Sequence, residues 1–132
     1  MANKKLNPQE TKTFIDILYM TPADIRAKDI ADLLHEVEGV KVELWNEMNV
    51  LEIGLTNDNS VDMEPLDVNF KDPSDISFVR NREIKTIFAL TLCDDDMDEI
   101  ETLFEKVVDK YSGFLCADTS DFYPVYVGTT KK

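Results

Sequence analysis

The chain partly matches itself when it is shifted by 74 residues. The matched residues are Phe14 with Phe88, Leu18 with Leu92, Leu33-Leu34 with Val107-Val108, Gly39 with Gly113, and Val40 with Phe114. These positions belong to a strand–helix–strand pattern, so the sequence predicts that the unit occurs twice. Two such units in one short chain can share a single sheet and a single core. The repeat therefore restricts the fold more than any short motif restricts the activity.

The first unit is predicted from residues 13–40. Residues 13–20 are rich in β-branched and aromatic side chains, which is typical of a strand that is covered within a sheet. Thr21 and Pro22 fit the N-cap and the first position of a helix, and Gly39 fits its end. After Gly39 the apolar residues alternate with polar ones up to Leu55, which predicts a hairpin.

Between the units, residues 61–70 alternate more weakly around Pro65. Proline cannot donate to a strand ladder, so we expect an edge strand or a break at this point. Residues 71–83 are predicted to be a loop, because Asp, Pro and Ser stand at their head.

The second unit begins with a predicted strand over residues 84–92. Apolar side chains then recur every three or four positions from Met97 to Tyr111, which predicts an amphipathic helix. Gly113 is expected to end this helix. One last strand, interrupted as a turn or bulge at residues 118–121, is predicted to run from there to Gly128.

Together these elements predict an α+β fold of the ferredoxin-like kind. In this sandwich two β-α-β units place two helices on one face of a mainly antiparallel sheet, and an extra hairpin extends one edge. A general α+β sheet without true duplication is the alternative. The 132 residues suit one core, so we expect a single domain over residues 13–128. Residues 1–12 and 129–132 are predicted to be flexible, basic ends.

Charge is the main anomaly of the composition. The net charge is −13, and the two basic ends leave −17 for the residues between them. Such a surface repels phosphate backbones, so nucleic-acid binding is not expected. The charge either keeps the protein soluble or steers it towards a basic partner.

Hydrophobic segments are too short for membrane insertion. No run approaches the about 20 apolar residues of a membrane helix, and the N-terminus has no apolar signal stretch. We therefore expect a cytoplasmic protein that has no contact with a membrane and is a monomer or a homodimer.

The chain offers few residues for catalysis. His35 is the single histidine and is predicted to lie on a helix surface, and no serine stands in a Gly-x-Ser-x-Gly elbow. Cys93 and Cys116 are expected on strands that a third strand separates, too far apart for a disulfide. No Cys-x-x-Cys pair and no glycine-rich phosphate loop is present. The sequence thus predicts a protein that is not an enzyme and that has neither a cofactor nor a bound metal.

The densest group of carboxylates lies at the start of the second helix. Acidic residues there complement the helix dipole, which is a sufficient structural role. They also form an acidic pole if the turn after the next strand lies at the same end of the sheet. Exposed tyrosines and Trp45 are typical anchors of interfaces. The residues predicted to bind a partner are Asp94, Asp95, Asp96, Asp118, Asp121, Tyr123 and Tyr126.

These features predict a non-enzymatic, acidic protein that binds a basic protein partner. In size and charge the chain is similar to small bacterial immunity proteins, which neutralise a toxin by covering its cationic active site. The alternative is a regulatory module that binds a small molecule or a divalent metal. An enzyme that uses carboxylates alone is a third class, but no pair of acids shows an evident reason for shifted pKa values.

Overall fold

A computed structural model describes residues 13–129 of the chain. Within these residues seven strands form one sheet, and three α-helices pack on it. The strands are β1 (Phe14–Thr21), β2 (Lys41–Trp45), β3 (Val50–Gly54), β4 (Ser60–Leu66), β5 (Thr86–Cys93), β6 (Phe114–Ala117) and β7 (Val125–Gly128). The helices are α1 (Ala27–Leu34), α2 (Pro73–Asn81) and α3 (Met97–Tyr111). Apart from Thr129, the ends predicted to be flexible lie outside the described residues.

The sheet has the strand order β2-β3-β4-β5-β1-β6-β7, and every neighbouring pair is antiparallel. β1 is central, since it pairs with β5 along its whole length and with β6 on its other side. β5 and β6 therefore run parallel to each other with β1 between them. The predicted α+β class and the antiparallel sheet are confirmed.

The main core lies between one face of the sheet and the helices α1 and α3. The buried stripe of α3 consists of Ile100, Leu103, Phe104 and Val107, as its three-to-four-residue period predicts. The Phe104 ring meets Tyr19 of β1 edge to face, with 5.4 Å between the ring centroids. Burying side chains of this size contributes about 1.5–3 kcal/mol each, so this stripe fixes α3 on the sheet.

A smaller core lies on the opposite face, under α2. The Phe78 ring of α2 lies 4.6 Å from that of Phe122 and 5.9 Å from that of Phe114. The prediction of a loop over residues 71–83 is therefore wrong. The Asp72 carboxylate caps α2 by accepting from the backbone N–H of Ser74 at 2.9 Å, and Pro73 takes the first helical position.

The predicted start of the first helix is also wrong. Thr21 belongs to β1, and α1 begins at Ala27. The Thr21 hydroxyl accepts from the N–H of Ala23 at 3.0 Å and donates to the carbonyl of Tyr111 at 2.6 Å. It therefore ties β1 to the end of α3 instead of capping a helix. The helix ends at Leu34, ahead of Gly39, which takes a φ of +84° in the turn before β2.

β4 is an interior strand, so the prediction of an edge strand around Pro65 is wrong for the strand as a whole. Pro65 pairs with Phe88 of β5, whereas the pairing with β3 reaches only as far as Met63. Pro65 thus lies beyond the end of the pairing with β3, so on that side it interrupts no ladder.

The last segment is a hairpin rather than one interrupted strand. β6 and β7 pair antiparallel, with Phe114 opposite Gly128, so this prediction is wrong too. The chain reverses between them because the Thr119 hydroxyl donates to the carbonyl of Tyr123 at 2.8 Å and accepts from its N–H at 3.1 Å.

None of the helices within residues 13–129 is long and apolar enough to cross a membrane.

Candidate functional site

One face of the sheet is only partly covered. α2 and the Phe122 loop cover it at β5, β1 and β6, but no helix or strand of residues 13–129 packs on it over β2, β3 and β4. Neighbouring residues of a strand point to opposite faces. Because Val61 and Met63 of β4 belong to the main core, Asp62 between them points to this uncovered side. We call the outward-facing residues of β2, β3 and β4, together with those at the start of β1, the open face.

Carboxylates line up across the open face from strand to strand. Glu43 of β2 stands opposite Glu52 of β3, which stands opposite Asp62 of β4. Asp62 stands opposite Thr91 of β5, and Thr91 stands opposite Asp16 of β1. We call these four carboxylates the acidic row. It crosses five adjacent strands and is about 19 Å long at the usual spacing between strands.

No cation of residues 13–129 forms an ion pair with the acidic row. Within residues 13–129 the one ion pair joins Lys28 and Asp32 on α1, with 2.9 Å between nitrogen and oxygen. Lys41 is the basic residue of β2, β3 and β4, and it forms no ion pair with the row in the described part of the chain. Like charges directly opposite each other destabilise a sheet. The pairs Glu43 with Glu52 and Glu52 with Asp62 therefore work against the stability of the sheet.

Two contacts extend the row on the β1 side. The Thr91 hydroxyl donates to the Asp16 carboxylate at 2.8 Å. Partial burial, and then the negative charge of Asp16, raise the pKa of the Asp118 carboxyl. Asp118, one of the predicted binding residues, follows Ala117, which stands opposite Ile17 of β1, so it lies near Asp16 at the end of the acidic row.

Large apolar side chains flank the acidic row. Trp45 follows Glu43 by two residues on β2 and is 39% exposed, and Phe14 precedes Asp16 by two residues on β1 and is 62% exposed. Leu66, at the end of β4, is also exposed. Aromatic side chains beside polar ones are typical of the surfaces that proteins use to bind each other.

Not all of the carboxylates in the predicted acidic pole are accessible at the protein surface. Asp94 and Asp95 are exposed in a short 3-10 turn after β5, and Asp118 and Asp121 are exposed in the turn after β6. Because β5 and β6 run parallel, both turns lie at the same end of the sheet.

Asp96 differs from its neighbours because it is 4% exposed. Its two carboxylate oxygens accept from the side-chain amides of Asn57 at 2.8 Å and Asn59 at 2.9 Å. Nearby, Glu99 accepts from the N–H of Thr56 at 3.1 Å. These acids fasten the β3–β4 turn to the start of α3, so Asp96 is not accessible to a partner.

The two predicted tyrosine anchors lie in different surroundings. Tyr123 is 52% exposed in the β6–β7 turn. Tyr126 is half-buried and packs against the main core beneath α3. Tyr123 is therefore the one of the pair that is accessible as an anchor.

Both cysteines are buried and free. Cys93 on β5 and Cys116 on β6 are separated by β1, as the sequence predicts. Burial, followed by the charge of Asp118, raises the pKa of the Cys116 thiol to about 12. Since the thiolate is the reactive form, Cys116 is an inert core residue and not a nucleophile.

One group of side chains in the described residues has the spacing of a metal site. The Cys93 thiol and the carboxylates of Asp94 and Asp95 have ligand atoms within 4.8 Å of one another. The thiol is a soft ligand and the carboxylates are hard ones, and Zn²⁺ is the common divalent ion that binds both kinds.

Sequence reasoning predicted none of the four carboxylates of the acidic row as site residues. The signal was present, because Glu43, Glu52 and Asp62 alternate with apolar residues and Asp16 interrupts an apolar strand. Their alignment, however, depends on strand register, which the alternation does not provide.

The chain matches no protein-family model, and neither a curated protein nor a solved structure matches it.

Proposed function

We propose that this protein binds a basic protein partner through the open face and catalyses no reaction. The observation that carries this proposal is the acidic row, which crosses five adjacent strands with no cation paired to it in the described part of the chain. A partner that presents lysine or arginine side chains would remove the repulsion between Glu43, Glu52 and Asp62. Complementary charge of this kind accelerates association and selects the partner.

The apolar side chains at the margins of the row complete the interface. Trp45 and Phe14 provide exposed aromatic area on the same face, and Tyr123 provides more in the turn next to Asp118. In protein interfaces aromatic anchors supply much of the binding energy, whereas complementary charges supply association rate and specificity. The open face has both components.

We further propose that the partner is an enzyme or toxin whose basic active site the open face covers. This is the immunity-type role that the size and charge of the chain favour. We also propose that the fold is of the ferredoxin-like kind and that the protein is cytoplasmic. The parallel strands β5 and β6, with α3 connecting them and β1 between them, support the ferredoxin-like part.

A labelled decalysine peptide is a suitable probe for the open face. In one variant Glu43→Gln, Glu52→Gln and Asp62→Asn neutralise the row. In the matched control Glu38→Gln, Glu105→Gln and Asp24→Asn neutralise three exposed acids elsewhere, so both variants change the net charge of −13 by the same amount.

Fluorescence anisotropy at low salt should show at least a tenfold loss of decalysine affinity in the row variant. The expected size follows from about 0.5 kcal/mol for each exposed charge pair that is lost. The control variant should lose about threefold or less. Equal losses in both variants would show that the peptide senses net charge and not the open face, and the proposal would fail.

The second candidate is a divalent-metal-binding module at Cys93, Asp94 and Asp95, favoured by the spacing of their ligand atoms. A ligand at about 100 times its Kd raises stability by about 2.7 kcal/mol. Thermal melts with millimolar Mg²⁺, Ca²⁺ or Zn²⁺ that leave Tm unchanged would exclude this candidate.

A further inference from the structure

A cavity of about 500 Å³ lies at the end of β1 that is remote from the acidic row. It opens between the residue that follows β1, the residues before β5, the end of α3 and the end of β7. Its apolar walls are Pro22, Ile84, Val108 and Phe114. The volume is within the about 300–1,000 Å³ of typical small-molecule sites, whose linings are also mainly apolar.

Backbone geometry keeps this space open. Gly113 and Gly128 line the cavity, and both have a φ above +80°. A Cβ on Gly128 would lie 2.5 Å from the carbonyl oxygen of Gly113. The two strand ends therefore approach closely without side chains, and nothing from this pair fills the cavity.

One cation lines the cavity, and it is held in place. The Arg82 guanidinium lies over the Phe78 ring, with 3.7 Å from its central carbon to the ring centroid. Its Nη1 donates to the carbonyl of Phe78 at 3.0 Å. Glu83 also lines the cavity but forms no ion pair with Arg82 in the described part of the chain.

One nitrogen of the Arg82 guanidinium has no hydrogen-bond acceptor. Its Nε is the one buried side-chain nitrogen or oxygen in residues 13–129 that has no partner. A buried donor without an acceptor is costly to the fold.

We propose that this cavity binds a small amphiphilic carboxylate. The carboxylate would accept from the Arg82 guanidinium, which matches its planar geometry. The apolar body would lie among Pro22, Ile84 and Val108. This site is separate from the open face, and its existence does not depend on a protein partner.

Octanoate and 1-octanol form a matched pair of probes, because they differ in the charged head and share the chain length. Displacement of a fluorescent apolar dye should show that octanoate binds the full chain at least tenfold more tightly than 1-octanol. In Arg82→Gln this difference should disappear, with the affinity for 1-octanol unchanged. In Val108→Phe, which fills the cavity, both affinities should fall at least tenfold.

Far-UV circular dichroism and Tm of each variant establish that the fold is retained, and Arg82→Lys tests whether a charge alone is sufficient. Preference for octanoate that is reduced but present in Arg82→Lys supports the proposal. Equal binding of the two probes by the unmodified protein would overturn it, and so would no binding of either at millimolar concentration. If Arg82→Gln bound neither octanoate nor 1-octanol, the proposal would also be overturned, because Arg82 would then shape the cavity rather than hold the carboxylate.

Discussion

Gly113→Ala should destabilise the protein by about 3–5 kcal/mol, from strained backbone and steric overlap together. Gly113 has a φ of +84°, a conformation that L-residues with a Cβ rarely adopt. A Cβ there would overlap the carbonyl oxygen of Met20 and lie 2.8 Å from the Cα of Thr21. Since both atoms belong to the central strand β1, relief requires β6 or the end of α3 to move.

Gly39→Ala is the matched control, because Gly39 has the same φ of +84°. The nearest atom to a Cβ there is the side-chain methyl of Thr56 at 3.0 Å, which can move. We expect a loss of about 1–2 kcal/mol from the backbone alone. Urea unfolding measures both variants, with the m-value as a check that the transition is unchanged. If the two losses were equal, close packing against β1 would have no part in the role of Gly113.

Asp96→Ala should have the second largest effect, a loss of about 2–4 kcal/mol, since hydrogen bonds to a charged group contribute about 1.5–3 kcal/mol each. The substitution removes the acceptors of Asn57 and Asn59 and leaves their amides without those partners next to a new cavity. The β3–β4 turn should then separate from α3, so its amide protons should exchange faster with solvent.

Asp95→Ala provides the comparison for Asp96→Ala, because the same atoms are removed one residue away at an exposed position. Its effect should stay within about 1 kcal/mol, the limit for an exposed charge near a helix start. Urea unfolding and hydrogen exchange report on both variants. If both variants lost a similar free energy of unfolding, and amide hydrogen exchange in the β3–β4 turn stayed unchanged, the anchoring role of Asp96 would be contradicted.

Elements with a strong internal period were predictable. The apolar stripe from Met97 to Tyr111 predicts α3, and the alternation from Val40 to Leu55 predicts the hairpin of β2 and β3. α2 was missed because it is short, weakly amphipathic, and begins with the turn-forming residues Asp72 and Pro73. The prediction of Thr21 as a helix N-cap was wrong for a different reason. Its hydroxyl makes a long-range hydrogen bond to the carbonyl of Tyr111, which no local sequence pattern reveals.

The candidate site was less predictable than the fold. Outward-facing carboxylates such as Glu43, Glu52 and Asp62 can be recognised from alternation within each strand. Their alignment into one row requires the pairing register, which depends on the turns between strands. Asp96 shows the converse, because an acid in an exposed-looking cluster is buried once the β3–β4 turn folds over it.

The proposal that the acidic row serves a partner rather than stability has two consequences of opposite sign. Neutralising Glu43, Glu52 and Asp62 should stabilise the free protein by about 1 kcal/mol at low salt, because two like-charged cross-strand pairs disappear. The same variant should lose the stabilisation that a basic ligand gives to the unmodified protein.

Urea unfolding at low salt, with and without decalysine, tests both consequences in one measurement. We predict that the row variant is more stable than the unmodified protein without the peptide and gains little stability when the peptide is added. The unmodified protein should gain clearly under the same conditions. A row variant that is less stable without the peptide, or that gains as much from decalysine as the unmodified protein, would contradict the assignment of the open face as a binding surface.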